Sequence, residues 1–137
     1  TARAYTPAVR DQLEAAIGRH ARGVAAGYGI EVDYTFIRRI PPVVNAAGPV
    51  ALARDAVRAA LGADNLRTQF PPSTAGDDFA EFGGRVPGAY VWLGMGAERE
   101  NGQHHNTNYD FNDACIPHGV AWWCAVVEQE LAQRANP

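Results

Sequence analysis

Lysine is absent from this sequence, cysteine occurs twice, methionine once, and no long apolar run exists. All 12 basic residues are arginine, against 15 acids, for a formal net charge of −3 and a pI near 5.7. Such a balance supplies no global positive field for a phosphate backbone, so nucleic acid is not an expected partner. No stretch approaches the roughly 18 consecutive apolar residues that span a bilayer, and the densest, Ala89 to Leu93, is far shorter, so no membrane association is expected. Two cysteines are too few for a disulfide framework. Cys115 and Cys124 fall nine positions apart in one predicted helix, too far to bridge each other, which reads as two buried free thiols in a reducing, cytoplasmic setting. The only methionine is Met95 and residue 1 is Thr, so a longer primary product is expected, and Thr1 to Val9 contains no apolar targeting core. With 47% hydrophobic and 20% charged residues over 137 positions, the chain has the composition of a globular domain.

Periodicity divides it into helices and strands. Thr6-Pro7 reads as an N-cap followed by proline at the first helical position, and Val9, Leu13, Ala16, Ile17 and Val24 recur at helical spacing until Gly27 and Gly29. From Ile30 the period becomes two. Ile30, Val32, Tyr34 and Phe36 alternate with Glu31, Asp33 and Thr35, as in a half-buried strand. Thr1 to Tyr5 reads as the end of another strand. Pro41-Pro42 interrupts the pattern, and Asn45 to Pro49 is a polar connection marking a boundary between structural units. Val50, Ala53, Val57, Ala60 and Leu61 share a helical face that Gly62 closes. Leu66 to Phe70 fits a short strand and Asp77 to Phe82 a short helix. Ala89-Tyr90-Val91-Trp92-Leu93 is continuously apolar, the pattern of a central strand covered on both faces. The last helix is predicted to begin near Asp113, a good N-cap, with Ile116, Val120, Trp123, Val127 and Leu131 on one stripe. Alternating helices and strands imply an α/β layering.

Chemistry is concentrated in Gly102-Gln103-His104-His105-Asn106-Thr107-Asn108-Tyr109-Asp110-Phe111-Asn112-Asp113. This segment holds two of the four histidines and follows the end of the predicted central strand, where open α/β sheets place their binding crevices. Imidazole and carboxylate suit zinc, manganese or nickel. Spacing alone also fits a solvated loop, with Asp113 as a helix cap.

Three ordered motifs resemble the C-terminal part of the aminoacylase and hippurate hydrolase family of metallo-amidohydrolases, which includes indole-acetyl-amino-acid hydrolases. They are Pro71-Pro72-Ser73 to Asp78-Phe79, Val86-Pro87-Gly88-Ala89-Tyr90 to Leu93-Gly94-Met95-Gly96, and His105-Asn106-Thr107-Asn108-Tyr109-Asp110-Phe111-Asn112-Asp113. Ala2-Arg3-Ala4-Tyr5 with the first helix, and Pro41-Pro42-Val43-Val44-Asn45, resemble the family's lid and its return to the catalytic domain. The resemblance implies an α/β fold: residues 1–41 as a partial strand-helix-strand end of a lid, or dimerisation, domain, and 42–137 as the C-terminal segment of a three-layer, phosphorylase/hydrolase-like catalytic domain. It implies hydrolysis of the amide bond of an N-acyl amino acid, hippurate-like, by water activated between two divalent metal ions (Zn, Mn or Ni).

The resemblance places the last metal ligand on His105, while His104 stands where the family has an apolar residue. Gly94 and Gly96 would let backbone N–H groups approach a substrate carboxylate, or form a sharp exit turn. Asp110 and Asn112 would orient His105, or cap and turn the loop. Pro41 stands where related exopeptidases carry a carboxylate-binding arginine, with Arg38 and Arg39 only nearby, which fits an amidohydrolase better than a carboxypeptidase. Asp77 replaces a glutamate. The family's other ligands and its general-base Glu-Glu pair have no counterpart here, so this chain alone is expected to be an inactive part of a full-length enzyme. A companion fragment or a homo-oligomer would then cover its exposed edges. Two alternatives remain: a non-catalytic binding or assembly module that keeps the fold, and an independent small metal-binding domain.

Overall fold

The computed structural model describes residues 1–96 and 104–135. Among these residues there are four α-helices, α1 (Pro7–Tyr28), α2 (Ala47–Leu61), α3 (Phe79–Gly83) and α4 (Ile116–Ala135), with single 3-10 turns at Ala63–Asn65 and Asp113–Cys115. Contacts divide the chain into two compact units, Thr1–Val44 with Pro71–Val86, and Asn45–Phe70 with Pro87–Pro137.

In the first unit, α1 begins where its capping chemistry places it. Thr6 Oγ1 accepts from the Val9 N–H at 3.3 Å, and Pro7 occupies the first turn, where no intrahelical donor is needed. Gly29 ends the helix at φ 65°, and the Ile30 N–H reaches back to the Ala25 carbonyl at 3.0 Å. The chain then returns along the helix. Tyr34 lays its ring over Gly18, so close that a Cβ there would lie 2.7 Å from Cε1, and donates its hydroxyl to the Glu14 carbonyl at 2.9 Å. The Arg22 guanidinium stands 5.7 Å from the same ring centroid. Arg38 pairs with Glu14 and, at 2.7 Å, with Asp11; Glu14 first and Asp11 second hold its pKa above the ordinary value. Arg10 donates to the Ile40 carbonyl at 2.7 Å, and Tyr5 to the Pro72 carbonyl at 2.8 Å.

The strand predicted over Ile30 to Phe36 is not formed, so the strand-helix-strand arrangement is not found. Nor are strands present at Thr1 to Tyr5, Leu66 to Phe70 or Ala89 to Leu93; no residue among those described is in a strand. The physical reason is pairing. A strand exists through ladder hydrogen bonds to a neighbour, whereas Ile30 to Ile40 is fixed by side chains reaching to and from α1. The alternation survives only as burial, with Tyr34 and Phe36 half-buried and Asp33, Thr35 and Ile37 exposed. In α3, the predicted short helix, the Asp77 carboxylate accepts from the Phe79 N–H at 2.8 Å.

In the second unit α2 packs on α4. The buried side chains are Ala53 and Ala56 of α2 and Ala125 of α4, small residues that let the two backbones approach. Trp122 spans the seam, its indole N–H donating to the Ala53 carbonyl at 3.1 Å. Gly119 faces Leu93, where a Cβ would meet Cδ2 at 3.3 Å. The stripe read from the spacing is not the face that meets α2. Ile116, Val120, Trp123, Val127 and Leu131 are 51 to 61% exposed, because the face carrying Trp122 and Ala125 meets α2 instead. Asn112, not Asp113, is the capping residue here, closing the 3-10 turn that leads into α4: its Oδ1 accepts from the Ala114 N–H at 3.2 Å. Cys115 is buried and Cys124 exposed, both free, which corrects the expectation of two buried thiols.

Ala89 to Leu93 is held by side chains. Asn45 Nδ2 donates to the Tyr90 carbonyl at 2.9 Å, its Oδ1 accepts from the Tyr90 N–H at 2.8 Å, and the Ala46 N–H donates to the Gly88 carbonyl at 2.9 Å. One amide thus makes the two bonds a neighbouring strand residue would make. The accessible surface totals 10966 Å². A folded 14.7 kDa monomer exposes about 6,900 Å², and two separate domains of these sizes about 8,300 Å². Large apolar side chains are among what is exposed, including Phe70, Trp92 and Trp123.

Asn45→Ala removes both bonds to Tyr90, worth about 1–2 kcal/mol together. Amide hydrogen exchange is expected to show the Tyr90 N–H exchanging roughly tenfold faster. Unchanged protection would show that the clamp is not what holds this segment.

Candidate functional site

Leu93 leads into Gly94-Met95-Gly96, and the described chain resumes at His104. Gly102 and Gln103, the first two residues of the segment singled out in the sequence, lie outside the described residues. The far arm of the loop is fastened to the near one. Asn112 Nδ2 donates to the Met95 carbonyl at 2.9 Å, the Tyr109 hydroxyl to Met95 Sδ at 3.2 Å, and the Cys115 thiol to the Gly94 carbonyl at 3.4 Å. Asn112 thus uses one amide end on Met95 and the other to cap the 3-10 turn. Gly96 turns with φ 86°, a conformation that needs glycine; Gly94 has φ outside that region and open space around it.

His105 is the one non-glycine residue with positive φ, 66°, among the described residues. Histidine is one of the few side chains enriched there, and strain of about 1–3 kcal/mol persists only where the surroundings impose it. Directly after it Asn106 makes a tight turn, its Oδ1 accepting from the Asn108 N–H at 2.9 Å and its carbonyl from the Tyr109 N–H at 3.0 Å. His105 is exposed, as is Asp110. Among the described residues, no hydrogen bond joins His105 to Asn112.

His104 has different surroundings. Its ring lies nearly parallel to Trp92, centroids 6.0 Å apart at 20°, and meets Tyr109 edge-on at 5.2 Å and 67°. Exposed like His105, it stands in a row of rings, while its neighbour takes the positive-φ backbone position. The two adjacent histidines are thus distinguished by geometry.

Among the described residues no group of three or more His, Cys, Asp or Glu converges as a metal site would require. The residues present do not by themselves fit a divalent ion; His105 offers a single imidazole.

The model of peptidase family M20/M25/M40 matches residues 5–129. The chain belongs to this family. Every candidate residue, from Gly94 to Asn112, lies inside the matched span. Family members generally depend on divalent metal ions. The chain is 31% identical over 109 residues to "Putative glutamate--cysteine ligase 2-3" of Rhodococcus jostii, covering 77% of this chain and 13% of that protein. It is 30% identical over 105 residues to N-acetylcysteine deacetylase of Bacillus subtilis, covering 77% and 26%. It is 28% identical over 120 residues to "Putative amidohydrolase YhaA" of the same organism, covering 85% and 30%. The chain thus spans less than a third of the length of each of these relatives. No solved structure matches.

Asn45, Met95 and Cys115 were not singled out as site residues from the sequence. Asn45 belongs to the Pro41 to Asn45 motif, but nothing in spacing links position 45 to position 90. Their bonds depend on tertiary approach.

His105→Asn keeps a side chain that tolerates the left-handed backbone, whereas His105→Val is expected to cost about 1 kcal/mol more. Hydrogen exchange at the Tyr109 N–H, bonded to Asn106, reads the difference. Equal protection in the two variants would remove the strain argument.

Proposed function

We propose that this chain is the C-terminal portion of a metal-dependent amidohydrolase that cleaves the amide bond of N-acyl amino acids, hippurate-like in class. The observation that carries the reading is His105, held at φ 66° on a fastened loop inside the matched family span, beside a histidine whose ring instead faces Trp92 and Tyr109. Relatives named as an N-acetylcysteine deacetylase and an amidohydrolase support the reaction class, since N-acetylcysteine and hippurate are both N-acyl amino acids.

In this proposal residues 1–41 close a lid and 42–137 close the catalytic domain. His105 contributes one metal ligand. Gly94 and Gly96 offer backbone donors to the substrate carboxylate, and Asn112 holds the loop to Met95 while Asp110 supports it. The remaining ligands and the general base come from the rest of the enzyme, since the sequence has no Glu-Glu pair and a single imidazole holds no ion firmly. The chain alone is then inactive. Its large exposed apolar surface calls for cover by the rest of the enzyme, a companion fragment or a second copy. A cytoplasmic location is part of the same reading, and rests on the two free thiols.

The test is release of free amino acid from hippurate and from an N-acetyl amino acid. In the complete enzyme, His105→Ala is expected to lower kcat/KM by about a hundredfold or more, and by far more than His104→Ala does. The isolated 137-residue chain with added zinc, manganese or nickel is expected to release none. Equal losses in the two variants would overturn the ligand assignment, and a complete enzyme inert toward every N-acyl amino acid would overturn the function.

A further inference from the structure

The turn Gly94-Met95-Gly96 is fastened by a residue outside the loop motif. Cys115 closes the 3-10 turn that leads into α4; it is buried, and its backbone N–H donates to the Asn112 carbonyl at 2.9 Å. From there the thiol donates to the Gly94 carbonyl at 3.4 Å. Buried free cysteines usually act as small hydrophobes. This one spends its only side-chain proton on the backbone of the loop. A thiol is a weak donor, so the bond matters less for stability than for the direction it gives the peptide.

That direction decides where the next donor is aimed. No cis peptide bond occurs among the described residues, so across the Gly94–Met95 bond the carbonyl and the N–H lie antiparallel in one plane. With the Gly94 oxygen drawn toward buried Cys115, the Met95 N–H faces the opposite way. The following peptide repeats the pattern: Asn112 Nδ2 takes the Met95 carbonyl at 2.9 Å, which turns the Gly96 N–H away from Asn112. Among the described residues no acceptor meets either N–H. Backbone donors without a protein partner are satisfied by water or by a ligand. Room for one exists, since among the described residues a Cβ at Gly94 or at Gly96 would meet nothing within 4 Å. Donors whose peptides are held in advance from the carbonyl side cost no reorganisation when an anion arrives.

We propose that Cys115 is a positioning residue of this site: by holding the Gly94 carbonyl, its thiol aims the Met95 N–H at the carboxylate of the bound N-acyl amino acid. The inference rests on the function proposed above. It goes beyond it by assigning a donor to Met95, between the two glycines, and the aim of that donor to a buried side chain that never touches substrate.

The experiment measures kcat, KM and metal content of the complete enzyme, with whichever N-acyl amino acid it cleaves fastest, N-acetylglycine and N-benzoylglycine being tried first. Cys115→Val keeps apolar volume but has no proton to donate, and is expected to raise KM about tenfold while kcat changes less than about twofold. Cys115→Ala carries the same expectation and replaces the valine variant where the larger side chain disrupts folding. Cys115→Ser keeps a donor and is expected to stay within about threefold of the wild-type KM, which a role in packing alone would not give. Metal content is expected to equal that of the wild type in every variant. An unchanged KM without the donor, a fall in kcat in its place, a serine variant that loses as much as the others, or a loss of metal would overturn this inference and leave the amidohydrolase reading standing. A complete enzyme that cleaves no N-acyl amino acid would overturn both.

Discussion

The segment from Tyr90 to Met95 is held in place by side chains, and the candidate site depends on that. Backbone donors and acceptors need partners. For Tyr90 the partner is the Asn45 amide, for the Gly94 carbonyl it is the Cys115 thiol, and for the Met95 carbonyl it is Asn112. These bonds fix where the loop leaves and where it returns. His105 takes its left-handed conformation between them. Because each bond comes from a single side chain, one substitution can release one anchor without unfolding the helices.

What the sequence made legible were features with local causes. The first helix follows from Thr6, Pro7 and Gly29, all of which act within one turn of where they stand. Gly62 likewise ends α2. The strands were not found because alternation reports which side of a segment is buried, not whether a neighbour pairs with it; Tyr34 keeps its burial by lying on Gly18 rather than on a sheet. The stripe on α4 illustrates the same limit. Ile116, Val120, Trp123, Val127 and Leu131 share a face, as their spacing requires, yet alanines and Trp122 make the contact with α2. Spacing predicts that a face exists. Only packing decides what meets it.

The site was legible to a different degree. The motif running from His105 to Asp113 marked the loop, and the family match over residues 5–129 covers it. Composition could not separate His104 from His105, but the ring contacts of one and the backbone of the other do so. Met95 lies in the Leu93 to Gly96 motif, yet neither it nor Cys115 marks itself as an anchor, since a thioether and a thiol that bond across a loop resemble any other sulfur group in sequence.

The central claim is that His105 is one ligand of a metal site completed by the rest of an amidohydrolase. Metal content of the complete enzyme after dialysis, measured for the wild type and for His105→Ala, tests it most directly. The account predicts that the variant retains about one equivalent of divalent metal fewer per chain. Identical metal content in the two proteins would contradict it.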